Sequence, residues 1–301
     1  MSALDDILPA PLTETGGLVE MAAAEYHADP CPDPSLSSSV AKILLDQSPA
    51  HARVAHPRLN PNFEPDNDTK FDLGTVAHEI LLEGESAVWI VDHDDWRSNA
   101  AKEIRDKARA AGRTPLLAKD WVRVEAMANA ARRQLEMLDL DPPPITDGHP
   151  ELCLTWMDEG IWCRARFDWL HDDLSTVDDL KTTGASAYPQ AWAKTMFGFG
   201  GDFQAAFYLR GLRKALGADA KWRFIVQEDY PPYALSIVTL SAEVLAFAAE
   251  RVDIAIRRWA ECIADQHWPA YTREPVMLEL PSWKTERRPV PAESFGSEAP
   301  F

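Results

Sequence analysis

The chain has 301 residues, roughly two average domains or one large one, with 46% hydrophobic and 26% charged residues and a net charge of −18. This is the composition of a folded protein and excludes a disordered one. No apolar run approaches the roughly 18 residues of a membrane span, and Asp5 and Asp6 stand where a secretory signal would carry Lys or Arg, so a cytoplasmic protein without a membrane partner is expected.

Residues 1–34 hold seven acids and no Lys or Arg and read as a mobile or loosely docked acidic arm. A structured region opens at Ser35-Leu36-Ser37-Ser38-Ser39, with Ser37 or Ser38 placed to cap a short helix through Val40, Ile43, Leu44 and Leu45. Prolines at 57, 61 and 65 mark a loop, and a helix is predicted from Thr69 to Glu83. Two amphipathic helices follow over 99–112 and 117–138, broken by Gly112 and Pro115, and Asp141-Pro142-Pro143-Pro144 ends this helical half.

The period then changes. Residues 151–157, 161–170 and 174–181 are rich in Trp, Val, Leu and Phe and are separated by Asp158-Glu159-Gly160 and His171-Asp172-Asp173, which predicts a three-stranded meander. Helices over 187–196 and 202–216, a hairpin 222–229/233–240 across Pro231-Pro232, and a helix from Ser241 to Gln266 complete the order. The expected class is α+β, with a central mixed sheet flanked by helices and a helical N-terminal region.

The chemistry-bearing stretch is Arg166-Phe167-Asp168-Trp169, followed ten residues later by Asp179-Leu180-Lys181-Thr182. Residues two apart on a strand share a face, so Asp179 and Lys181 point the same way, and the turn at 171–174 returns Asp168 beside them. Paired carboxylates of this kind suit Mg²⁺, a hard cation that keeps waters for chemistry, and the Lys ammonium can orient a water or offset transition-state charge. Glu151 is a candidate third carboxylate. An Asp and a Lys two apart are ordinarily a solvated pair, but here they lie inside the apolar strand Val177-Asp178-Asp179-Leu180, where uncompensated charge is costly.

These residues resemble the PD-(D/E)XK nuclease superfamily, in particular the phage and prophage RecE-type (exodeoxyribonuclease VIII-like) exonucleases. Six segments in family order carry the likeness: Leu36-Ser37-Ser38-Ser39 with Ser48-Pro49-Ala50-His51, Gly74-Thr75-Val76-Ala77-His78, Asp168 in its R-x-D-W segment, the D-x-K motif at Asp179 and Lys181, Gln204-Ala205-Ala206-Phe207-Tyr208, and Leu280-Pro281-Ser282-Trp283. The resemblance implies a restriction-endonuclease-like domain over 35–284 (helical over 35–140, sheet-bearing over 150–268) and a C-terminal tail over 285–301. It implies His78, Asp168, Asp179 and Lys181 as catalytic residues, and Gln204 and Tyr208 as substrate contacts. With it go a Mg²⁺-dependent 5′→3′ exonuclease on double-stranded DNA ends (Mn²⁺ as a substitute), a homo-oligomeric ring and a single-strand annealing partner in recombination.

Gln204 and Tyr208, four apart on one helix, face the same way, which suits either a groove that holds a phosphate or strand end or, for Tyr208, a half-buried core aromatic with its hydroxyl in water. Arg210, Arg213 and Lys214 read as cations tracking a DNA backbone or as a solvated face. Residues 97–138 carry ten Lys/Arg against five acids and 181–223 seven against two, two basic blocks in an acidic chain. The cysteines Cys31, Cys153, Cys163 and Cys262, without a CxxC pair, give no disulfide framework, zinc ribbon or iron–sulfur ligand pattern. The alternative to an enzyme is a nuclease-fold module that binds DNA ends or proteins without robust catalysis. Its mark would be a missing Asp or Lys in the D-x-K motif, and both are present.

Overall fold

In the computed structural model, residues 16–64, 73–84, 88–272 and 274–281 are described. The chain divides into two units, Met1–Pro269 and Ala270–Phe301. The described residues of the second form neither helix nor strand, and the expected tail over 285–301 lies outside the described residues, as does part of the Leu280-Pro281-Ser282-Trp283 segment.

The first unit opens with β1 (Gly16–Val19), α1 (Ala23–His27), β2 (Leu36–Ser37), α2 (Ser38–Asp46) and α3 (Pro49–Ala55). Ser37 caps α2, its hydroxyl accepting from the Val40 amide, and Ser48 caps α3 in the same way for His51, with Pro49 in the first turn. Next come α4 (Leu73–Glu83), β3 (Val88–Val91), α5 (Asn99–Ala110), β4 (Thr114–Leu117) and α6 (Ala118–Glu136). Of the helix predicted from Thr69, residues 69–72 lie outside the described residues. The sheet-bearing half runs β5 (Gly148–Pro150), β6 (Cys153–Asp158), β7 (Ile161–Arg166), β8 (Trp169–His171), β9 (Thr176–Thr183), α7 (Pro189–Phe199), α8 (Gly201–Leu216), β10 (Lys221–Glu228), β11 (Leu235–Thr239) and α9 (Ala242–Asp265).

The meander is not one sheet. Its second strand divides at Phe167-Asp168: β7 belongs to a four-stranded sheet ordered β1-β6-β7-β2, and β8 to a five-stranded sheet ordered β11-β10-β9-β8-β5. Both are mixed, with β2–β7 and β9–β10 parallel and their other pairs antiparallel. The division is a bend in a continuous hairpin. Pairing resumes at Pro150↔Trp169 in the register of Cys153↔Arg166, the Phe167 amide donates to Leu152 O and the Glu151 amide to Asp168 O. Glu151 takes a positive φ of 58° at this corner.

Helix α8 packs in the core with Phe203, Phe207 and Tyr208 buried, and Phe207 meets Trp156 at 5.2 Å between ring centroids. Gly211 makes the approach possible, since a Cβ there would lie 2.8 Å from the Trp156 ring. Trp156, Trp162 and Trp259 are buried in this way, as packing residues.

Residues 16–34 are not a loose arm. β1 pairs antiparallel with β6 from Gly16↔Trp156 to Val19↔Cys153. Gly16, at φ 95°, passes so close that a Cβ would sit 2.2 Å from Thr155 O. Asp29 is buried, with a carboxylate oxygen 3.2 Å from Arg164 Nη1, another 3.2 Å from His56 Nε2, and the Ser35 amide and hydroxyl donating to it. Burial opposes the Asp29 charge, but these partners outweigh it and hold the carboxyl below its usual range. The seven acids of this stretch mislead because one of them is a buried fastening point. Asp29→Ala leaves Arg164 buried without its carboxylate, so equilibrium urea unfolding is expected to show a loss of about 3–5 kcal/mol. A loss within about 0.5 kcal/mol of zero, the range of ordinary surface changes, would mean that the segment is not fastened there.

Candidate active site

The register fixes the site. Pro150↔Trp169 and Cys153↔Arg166 put Glu151 opposite Asp168, and Trp169↔Asp178, carried one residue on, puts Asp168 opposite Asp179. Three carboxylates therefore stand in a row across adjacent strands, at the spacing of directly opposed cross-strand neighbours. Because β7 has turned into the other sheet, the Asp168 side chain takes over a ladder position: its Oδ2 accepts from the Leu180 amide at 2.9 Å. Alternation along β9 separates two adjacent acids. Asp178 faces away into a buried lock of Arg223 (2.6 Å), His171 (2.9 Å) and the Ile145 amide (2.9 Å), leaving Asp179 for the site.

Around the row, His78 of α4 brings Nε2 to 3.2 Å from Asp168 Oδ2. Lys181 lies 3.8 Å from Asp168 Oδ2 and in direct contact with Asp179 Oδ2. The Gln204 amide donates to Asp179 Oδ1 at 2.9 Å. His78 is thus not a histidine buried among apolar side chains, because a carboxylate meets it. The ligand atoms of His78, Glu151 and Asp168 lie within 4.8 Å of one another, a mixed imidazole and carboxylate donor set fit for a divalent cation. Asp179, expected to share that set, is not in it; its oxygens are engaged by Lys181 and Gln204.

Burial and neighbouring charge set the protonation of the three carboxylates apart. Burial pushes the Glu151 carboxyl up to about 7, against the pull of Arg166. Burial and then the neighbouring Asp168 charge raise Asp179 to about 7, against the pull of Lys181. Asp168 goes the other way, to about 2: burial opposes its charge, but Lys181, His78 and the Leu180 amide together win. Lys181 is raised, burial being outweighed by Asp179 and Asp168. Two of three carboxylates that hold protons near neutrality are a site short of a cation.

The row opens into a cleft of about 630 Å³ lined by Tyr26 and His27 of α1, by His78 and Glu79 of α4, and by Glu151, Arg166, Asp168 and Tyr208. The Tyr208 hydroxyl bonds to Ser38 and to Tyr26. No spacing or motif assigns Arg166, Tyr26, His27 or Glu79 to a site. Arg166 stood in the R-x-D-W segment without a role, and its Nη2 lies 2.9 Å from Glu151 Oε2. The structure does not bring Arg210, Arg213 or Lys214 to the cleft. Arg210 joins Asp158 and Asp253, Lys214 reaches Asp158 at 3.4 Å, and Arg213 contacts Asp219. Asp158 closes the turn end of the β6–β7 hairpin, whereas the acids of the site stand at its open end.

Residues 37–277 match the model of a family described as a PDDEXK-like domain of unknown function (DUF3799). The chain belongs to this PDDEXK-like family. No curated protein matches it. Among solved structures, it is similar to a protein from Eubacterium rectale described as a "Putative exonuclease", with a TM-score of 0.57 and 14% identity over 94% of this chain and 96% of that one. At that identity the likeness is one of fold, an α+β fold with mixed sheets flanked by helices. No helix among the described residues of this PDDEXK-like chain is long and apolar enough to cross a membrane.

Glu151 and Asp179 hold their protons to higher pH in the folded chain than in the unfolded one, and His78, raised by Asp168 against the effect of burial, acts in the same sense. Folding therefore binds protons between the ordinary carboxylate range and about 7, and stability falls as pH rises through that window. The melting temperature of the metal-free protein should drop between about pH 5 and about pH 8. A saturating divalent cation, which favours the ionised carboxylates, should flatten the profile. A metal-free melting temperature that climbs over this range would contradict the assignment.

Proposed function

We propose that this chain is a divalent-metal-dependent DNA exonuclease of the RecE type, degrading duplex ends 5′→3′ in phage or prophage recombination. The observation that supports it most is the alignment of Glu151, Asp168 and Asp179 across three strands, with Lys181 and His78 on the same carboxylates. A binding module has no use for this concentration of buried like charge, which costs several kcal/mol per ion unless compensated.

His78, Glu151 and Asp168 would hold the cation. A bound Mg²⁺, or Mn²⁺ in its place, supplies Lewis acidity and lowers the pKa of an attacking water. Lys181, pinned between Asp168 and Asp179, keeps its proton, orients that water and offsets charge that builds on the phosphate. Gln204 holds Asp179 to the geometry this requires, and Tyr208, which lines the cleft, would meet a phosphate or a strand end. The ring oligomer and the annealing partner belong to the same reading and rest on the family likeness.

With Arg210, Arg213 and Lys214 engaged elsewhere, the duplex needs another approach. On α5, Lys102, Lys107 and Arg109 are exposed and make no ion pair among the described residues, and Gly112 and Thr114, just beyond, line the cleft. We assign the backbone-tracking role to this helix in place of the three α8 cations. Replacing Lys102 and Arg109 by Gln should reduce the slope of log affinity against log salt by about 0.9 for each phosphate that the helix no longer neutralises. An unchanged slope would move the path elsewhere.

The direct test compares linear with circular duplex in Mg²⁺ and in EDTA. Linear DNA alone should be consumed, only with metal, and Asp179→Asn or Lys181→Ala should lower the rate by about a hundredfold or more with the melting transition retained. Binding of DNA ends with no metal-dependent cleavage would instead identify a non-catalytic module.

A further inference from the structure

The cleft is poor in positive charge for work on a polyanion. Among the described residues that line it, Glu79, Glu83, Glu151 and Asp168 are acidic, and Arg166 is the one Lys or Arg. Its pairing is incomplete. Nη2 forms an ion pair with Glu151, 2.9 Å from Oε2, while the buried Nε–H has no partner. A guanidinium prefers to meet an oxyanion through two parallel N–H bonds, and a buried donor without an acceptor raises the free energy of the state that contains it. The contact with Glu151 thus leaves one donor of this cleft-lining guanidinium unused.

Glu151 also has a second suitor. It belongs with His78 and Asp168 to the group whose ligand atoms lie within 4.8 Å of one another, so a cation there competes with Arg166 for one carboxylate.

We propose that Arg166 is the residue that receives the phosphodiester: Glu151 holds its guanidinium in the unliganded protein and releases it to the non-bridging phosphate oxygens when the carboxylate turns to a divalent cation. This rests on the nuclease reading above and adds to it a substrate contact and an order of events. One carboxylate couples the two binding steps, so metal and nucleic acid favour each other's binding. At the phosphate, the planar fork of Arg166 offsets negative charge as it develops, complementing the point charge of Lys181.

The test uses the full chain and two variants, Arg166→Gln and Arg166→Lys. Binding of a short single-stranded oligonucleotide is followed by fluorescence anisotropy with and without Ca²⁺, metal binding by Tb³⁺ luminescence, and cleavage in Mg²⁺ by steady-state kinetics. In the wild-type protein Ca²⁺ should tighten the oligonucleotide. Arg166→Gln should weaken it by about tenfold or more in Ca²⁺ and remove most of the Ca²⁺ effect, while Tb³⁺ binds as well as before or better, because Glu151 is no longer shared. Arg166→Lys should raise KM more than it lowers kcat. Strands ending in a 5′-hydroxyl and a 5′-phosphate should show the same dependence on Arg166.

Wild-type oligonucleotide affinity in Arg166→Gln, or parallel loss of Tb³⁺ and oligonucleotide binding, would overturn the proposal and leave Arg166 a prop for Glu151. Dependence confined to the 5′-phosphorylated strand would overturn it in favour of a terminal-phosphate site. If Arg166→Gln does not fold, the same measurements on Arg166→Lys decide, wild-type KM and affinity being the overturning result. Should the wild-type protein neither bind nor cleave nucleic acid, the nuclease reading falls and this assignment with it. Cleavage by the wild-type protein with unaltered variants sinks the Arg166 assignment alone.

Discussion

The cross-strand register at the bend of the β5–β8 hairpin governs the rest of the site. Because pairing continues unbroken from Cys153↔Arg166 to Pro150↔Trp169 while the chain passes between sheets, Glu151 and Asp168 are held as direct neighbours. The antiparallel partner strand then adds Asp179 beside them. A slip of one residue on any of these strands would turn its acid to the opposite face. The buried lock of Asp178 with Arg223 and His171 guards against such a slip, since its partners satisfy Asp178 only on the face away from the site.

Holding like charges this close requires compensation, and the fold supplies it locally. Lys181 lies on two of the carboxylates, Arg166 on the third, and His78 comes from a helix across the cleft. Burial still outweighs these partners at Glu151 and Asp179 and leaves both reluctant to ionise. Helix α8 divides its polar side chains between two tasks in the same structure. Gln204 bonds to Asp179 and Tyr208 lines the cleft, while Arg210 and Lys214, on another face, tie the helix to Asp158.

The N-terminal segment illustrates how a charge count and a structure can point in opposite directions. Seven acids without a Lys or Arg read as a mobile or loosely docked arm, yet residues 16–34 add a strand to one sheet and bring Tyr26 and His27 to the cleft. This segment precedes residues 37–277, the region matched by the family model. Asp29 is the buried contact of this segment that meets Arg164, His56 and Ser35 at once.

What the sequence determined by itself is what depends on near neighbours along the chain. Ser37, Ser241 and the breaks at Gly112 and Pro115 mark helix ends through local hydrogen bonds and backbone restrictions. The two-residue spacing of Asp179 and Lys181 puts both on one face of a strand whatever lies around it, and the turn after Asp168 is short enough to bring it alongside. Tertiary structure decided whatever depends on pairing between distant segments. It split the meander into two sheets at Asp168, drew His78 in from ninety residues upstream and assigned Arg166 to Glu151. It also grouped His78 with Glu151 and Asp168 and engaged Arg210, Arg213 and Lys214 in ion pairs away from the cleft. Local spacing sets which side chains share a face, but only the long-range register sets which faces meet. A cation or a carboxylate acquires its role from the partner it meets there.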